Sequence, residues 1–181
     1  MKLETLEKDN YYHIYNRGIN GCAIFNDTEN MRYFLSLVVK YLKGKTTLLS
    51  YCLLRNHYHF FIKVTVDNKE VTQAFSNLFN AYAKAFNKRN NRTGSLFEKH
   101  FRRKRVQTQE YLVNTILYIH KNPAHHKISK DFSKYDFSSY KDIVSGNATL
   151  IAVSQVVSVF ENLENFIFTH KNHHQTDLQG F

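Results

Sequence analysis

Proline is almost missing from this chain. Pro123 is the sole example in 181 residues, alongside six glycines and no tryptophan. So few chain breakers exclude a Pro- or Gly-rich linker, a collagen-like repeat or a low-complexity tract. Only two cysteines occur, Cys22 and Cys52, without paired spacing, which excludes a disulfide framework and fits a reducing compartment. No apolar run approaches the roughly 18 residues expected of a membrane-spanning helix. The first ten residues are charged and lack the apolar centre of a secretory leader. A cytoplasmic protein without a membrane segment is expected. Acidic residues are also scarce: 15 Asp and Glu against 25 Lys and Arg give a net charge of +10. That imbalance favours a polyanionic partner.

The positive charge is concentrated. Between Lys84 and Arg105 stand nine Lys and Arg residues against Glu98 alone, interleaved with Phe86, Phe97 and Phe101. A phosphate-binding stripe with base-stacking rings has this composition. A merely solvated basic surface is the plainer alternative. The residues expected to face nucleic acid are Arg17, Lys63, Lys88, Arg89, Arg92, Arg102, Arg103 and Arg105.

Periodicity gives the order of elements. Tyr11 to Asn16 alternates like a strand, and Arg17 to Gly21 is a loop. Met31, Phe34, Leu35, Val38, Val39 and Leu42 recur at helical spacing over 28–42, with Asp27 or Thr28 available as cap. Residues 46–54 form a second strand, followed after a tight turn by a third from His57. Val71 to Asn87 is a second helix, 101–106 a fourth strand, and Thr108 caps a third helix. The order β-α-β-β-α-β-α predicts an α+β domain of the ferredoxin-like, split-βαβ kind. Its antiparallel sheet should carry two helices on one face, leaving the other open with the third helix near it.

The third strand holds the chemistry. Side chains alternate along a strand, so His57, His59, Phe61 and Lys63 share one face and apolar Tyr58, Phe60, Ile62 and Val64 the other. Two imidazoles therefore project together away from the core. They are either ordinary strand histidines or a metal-ligand pair. On the third helix, Leu112, Val113, Ile116, Leu117 and Ile119 make an apolar stripe, and Tyr118 lies opposite it. Asn122 follows one turn later, if the helix survives Pro123. Two histidines and an amide oxygen suit Mg2+ or Mn2+, and an adjacent tyrosine could attack a phosphodiester. A phenol with pKa near 10 needs activation by the ion, by Lys63 or by Lys121.

These segments resemble the single-tyrosine HUH transposases, in particular the REP-associated tyrosine transposase group. The resemblance rests on Tyr12-His13-Ile14-Tyr15-Asn16-Arg17-Gly18, Asn56-His57-Tyr58-His59-Phe60, Arg92-Thr93-Gly94-Ser95-Leu96-Phe97, Tyr118-Ile119-His120-Lys121-Asn122-Pro123 and Asp136-Phe137-Ser138-Ser139-Tyr140, in that order. It implies His57 and His59 as metal ligands, Asn122 as third ligand and Tyr118 as nucleophile. It also implies a covalent 5′-phosphotyrosine on single-stranded, often hairpin-bearing DNA, with release of a 3′-hydroxyl. Two departures stand out: Leu54-Arg55-Asn56 replaces Met-Pro-Asn, and Ala124-His125-His126-Lys127 replaces Val-Arg/Lys-Ala-Gly. The expected unit is a transposase domain over 1–146 with a helical extension and tail over 147–181. In that tail His170, His173 and His174 are spaced like a metal cluster but read as a flexible polar tail. A monomer or a homodimer, with Tyr118 acting in cis or in trans, is equally compatible. The rival reading is a non-catalytic single-stranded DNA- or RNA-binding module stacking bases on Tyr11, His13, Tyr15 and Phe61.

Overall fold

The computed structural model describes residues 3–146 and 148–173. Its elements are β1 (Tyr11–Arg17), α1 (Thr28–Leu42), β2 (Thr46–Leu54), β3 (His57–Val64), α2 (Asn68–Arg89), β4 (Arg102–Val106), α3 (Gln109–His125), α4 (Ser139–Ser145), α5 (Val153–Val159) and α6 (Leu163–Asn172). Helix starts follow from local chemistry. Asp27, Asp67 and Thr108 each accept a hydrogen bond from the backbone N–H three residues on, satisfying a donor the helix leaves orphaned.

The sheet order is β2-β3-β1-β4, every neighbour antiparallel, as the split-βαβ reading requires. On one face α1 and α2 cover an aromatic core. Phe34 packs with ring centroids 4.8 Å from Tyr82 and 5.3 Å from Tyr58, and all three are essentially buried. Burying each large ring contributes about 1.5–3 kcal/mol.

The other face is less open than the sequence implied. α3 lies across β2 and β3, and α4 and α5 pack on β2. All of β2 from Leu48 to Leu54 is consequently buried. Only the β1–β4 side stays accessible, where Arg102 and Lys104 are exposed. The cover comes from the C-terminal segment, whose Ile151, Val156, Phe160 and Phe166 join the core.

His170 corrects the polar-tail reading. It is fully buried on α6, four residues after the equally buried Phe166. His173 caps α6, and His174 lies outside the described residues. His170 belongs to a polar chain whose direction is fixed link by link. The Phe166 carbonyl can only accept, so His170 Nδ1–H donates to it at 2.7 Å. His170 Nε2 then accepts from His120 Nδ1–H at 2.8 Å. His120 Nε2 in turn accepts from the Ser139 hydroxyl at 2.8 Å, whose oxygen takes the Tyr51 N–H at 2.9 Å. The chain ties α3 to α6, α4 and β2 and requires both rings to be neutral.

Burial lowers the pKa of both imidazoles, His170 to about 3 and His120 well below its usual value. Unfolded histidine titrates near 6.5. Between those limits the unfolded chain binds more protons, so stability is complete above about pH 6.5 and is lost as pH falls below it. The urea midpoint should drop from pH 7.5 to pH 5.5. His170→Phe strands the His120 N–H and should cost about 1–3 kcal/mol at pH 7.5, while making the acid limb shallower. A midpoint independent of pH in the wild type would contradict this account.

Candidate active site

The register of β1 against β3 places Tyr15 beside His59 and Arg17 beside His57. The end of β1 is pinned there by Gly18, whose N–H bonds the Asn56 carbonyl at 2.8 Å. Any Cβ at Gly18 would come within 2.0 Å of the Cys22 carbonyl oxygen, so only glycine permits this approach. Asn56 also fixes His57: its Oδ1 accepts from His57 Nδ1–H at 2.7 Å, which leaves His57 Nε2 with a bare lone pair. His59 is only 4% exposed. Its Nδ1 lies 2.9 Å from Nε2 of the wholly buried His13, and its own Nε2 has no hydrogen-bond partner.

α3 brings the other half. The helix does continue through Pro123 to His125. Tyr118 is buried yet faces the sheet rather than solvent, its ring centroid 5.5 Å from His59 and nearly perpendicular to it. Asn122 is fully buried. Its Nδ2 donates to the Tyr118 carbonyl at 3.0 Å, which turns Oδ1 inward. That oxygen lies close to the His57 ring and the Tyr118 hydroxyl but makes no well-aligned hydrogen bond. All four expected catalytic residues therefore meet within one chain.

The electrostatics follow from burial. Burial lowers His57 to about pKa 4, with His126 adding to the effect and Asn122 opposing it. Burial also takes His59 well below its usual value, assisted by the neighbouring histidines. Both rings are neutral at pH 7. Burial raises the Tyr118 phenol, against a lowering contribution from Asn122. The tyrosine is thus harder to ionise than in water, and neither lysine considered as its activator stands nearby. Lys121 donates to the His173 carbonyl at 2.6 Å. Lys63 sits six residues along β3 from His57, roughly 20 Å away, and pairs with Asp9.

The donor set fits a divalent ion. A bare nitrogen on His57, the unpartnered Nε2 of His59 and the unpartnered Oδ1 of Asn122 belong to this cluster, and the last two are buried. Among the described residues, no trio of His, Cys, Asp or Glu side chains is arranged to hold a metal. Three-point coordination therefore depends on Asn122, with open positions left for water or substrate oxygens.

The site opens into a cleft of about 410 Å3. Of the expected nucleic-acid contacts, Arg17 and Arg102 line it, Arg17 in an ion pair with Glu98 at 2.6 Å. The rest stand elsewhere. On β4, alternation sends Arg102 and Lys104 to the site face and Arg103 and Arg105 to the helix-covered face. Arg105 is engaged with Glu7 and Asn10, and Arg103 lies over the Phe101 ring at 4.2 Å. Arg89 pairs with Asp27 and Glu29, Arg92 bonds Asn87 and the Ser95 carbonyl, and Lys88 is exposed at the end of α2.

The sequence reading left out Asn56, Glu98 and His126 as cleft residues, and His13 as a partner of His59. Alternation along β1 already put His13 and Tyr15 on the histidine face. His126, with its ring centroid 4.6 Å from that of His57, carried no signal except its place just past Pro123.

No family model matches the chain, and a search of curated proteins finds no match. Twelve chains of solved structures do match. One is a REP-associated tyrosine transposase bound to a REP hairpin, with 16% identity over 84% of this chain and 88% of that one and a TM-score of 0.62. At that identity the likeness establishes a shared fold.

Proposed function

We propose that this protein is a metal-dependent DNA strand transferase of the single-tyrosine HUH type, nicking and rejoining single-stranded or hairpin DNA. The observation that carries the reading is that Tyr118, His57 and His59 line one cleft of one chain, with the buried Asn122 beside His57 and Tyr118. The fold shared with a hairpin-bound tyrosine transposase supports it. Basic charge and the absence of a membrane-length apolar helix among the described residues agree with a cytoplasmic DNA partner.

His57, His59 and Asn122 would hold Mg2+ or Mn2+, which supplies charge to polarise the scissile phosphate. Arg17 and Arg102 orient the strand by its phosphates. The Tyr118 hydroxyl oxygen attacks phosphorus, losing its proton as the new P–O bond forms. The bond to the departing 3′-oxygen breaks, and that oxygen takes up a proton to become a 3′-hydroxyl. One phosphoester is exchanged for another, so attack by a 3′-hydroxyl on the phosphotyrosine reverses the step without ATP. Of the four rings named for a purely binding role, Tyr11 and Tyr15 stay half-buried. Phe61 and His13 are fully buried and cannot stack on bases.

Tyr118→Phe should keep the fold and strand binding but abolish cleavage. In the wild type, label at the 3′ end of the substrate should remain with protein on a denaturing gel, and label at the 5′ end should leave on a free strand. Survival of the adduct in the Phe variant would assign the nucleophile elsewhere.

Replacing both His57 and His59 with alanine should abolish Mn2+ binding measured by calorimetry, and with it cleavage. Full cleavage by that variant in excess chelator would refute the metal requirement.

The two faces of β4 should separate in a salt titration of DNA binding. Arg102→Ala should reduce the slope of log K against log salt by about 0.7 on single strands, the increment of one phosphate contact. Arg105→Ala should leave the slope unchanged and lower the melting temperature. Equal slopes for wild type and Arg102→Ala would remove Arg102 from the interface.

A further inference from the structure

Every neutral histidine must place its one proton on one of two nitrogens, and for His59 that choice decides whether the site can exist. If the proton sits on Nε2, the nitrogen facing Asn122 and His57 is an N–H and cannot ligate. If it sits on Nδ1, Nε2 is a bare donor of electrons. Nothing on β3 itself makes this choice. Among the described residues, the only side chain that hydrogen-bonds His59 is His13, across the sheet on β1. It is offset by two residues from the directly opposing position, since His13 pairs in register with Phe61. The two rings stack with centroids 5.1 Å apart, and both are buried.

We propose that His13 is the positioning residue that holds His59 in its ligating form, accepting the Nδ1–H of His59 on its own Nε2. This rests on the reading of His57, His59 and Asn122 as a cation site. The cation reading selects this direction of the bond, since a ligating Nε2 must be bare and leaves the proton to Nδ1. Burial does not distinguish the two directions: the reverse leaves an N–H without an acceptor on His59 Nε2, and the proposed one leaves it on His13 Nδ1. The reverse would also differ from His57, which donates its Nδ1–H to Asn56. With the proposed direction the two rings are treated alike. Each gives its outer N–H to a neutral acceptor, and each keeps Nε2 bare. Second-shell acceptors of this kind orient a ligand ring and fix its tautomer. Here the acceptors are an amide and a second imidazole. His13 then carries its own proton on Nδ1.

The test reads the proton directly in the metal-free, 15N-labelled full-length protein. Long-range proton–nitrogen correlation should show His59 protonated on Nδ1 and bare on Nε2. His13→Phe keeps an aromatic ring but offers no acceptor. It should move the His59 proton to Nε2 and weaken Mn2+ binding by about 10- to 100-fold. His13→Gln retains a carbonyl acceptor and should restore both the tautomer and the affinity to within a few-fold of wild type. Melting curves identify any variant that fails to fold, and the wild-type measurement needs no variant at all. A wild-type His59 protonated on Nε2 overturns the proposal, as does equal Mn2+ affinity in the Phe and Gln variants. If the wild type shows the expected tautomer but binds no Mn2+, the assignment to His13 stands and the cation reading falls.

Discussion

A buried neutral imidazole carries one N–H and one bare nitrogen, and both must be answered by the groups around it. That demand organises this molecule around α3. On the sheet side, His59 and His13 face each other beneath Tyr118. On the other side, His120 reaches His170 and Ser139. The helix that carries the tyrosine therefore lies between two buried histidine pairs, bonded to one through its own His120 and touching the other through the Tyr118 ring. Hydrophobic packing alone would let a helix slide or rotate at modest cost. The directional bonds of His120 to His170 and Ser139 restrain α3 on that side.

Strand alternation does the sorting that precedes this. β1, β3 and β4 each send one set of residues toward α1 and α2 and the other set toward α3. On β3 that split yields an apolar core face and a histidine-bearing face from eight consecutive residues. On β4 it divides a run of four basic residues into Arg102 and Lys104, which face the site, and Arg103 and Arg105, which brace the N-terminal segment and the edge of the core. Charge in the sequence is contiguous; charge on the surface is not.

This division marks what could be read in advance. The helix and strand boundaries follow from local periodicity and caps, and the antiparallel order from their succession. The ligand face of β3 needed only the period of two. The basic run was summed over β4 as composition, whereas the same period separates Arg102 and Lys104 from Arg103 and Arg105. α1 is rotated slightly from its expected stripe, burying Leu37 and exposing Val39, since both satisfy a helical repeat. Asn122 was doubtful because Pro123 disfavours helix before it; the loss is offset by the Asn122 amide bond to Tyr118 and by Ile128 and Ser129 N–H groups that close on the Pro123 carbonyl. The partners of His59 and His120 come from 46 and 50 residues away, and local pattern contains no term for such distances. Cover over the second face of the sheet was likewise a property of the chain's far end.

One feature of the cleft reaches beyond its geometry. The atoms that converge there come from two imidazoles and an amide, and their outer partners are another amide and another imidazole. The one carboxylate lining the cleft, Glu98, is already neutralised by Arg17. A dication seated among wholly neutral groups keeps nearly its full charge, and in the proposed reaction the counter-ion is the DNA phosphate itself. Ion and strand then strengthen each other's binding by the same factor, whichever comes first. An enzyme of the proposed kind would be loosely armed in solution and would acquire its metal together with its target, confining the cutting chemistry to moments when a strand is in place to be rejoined.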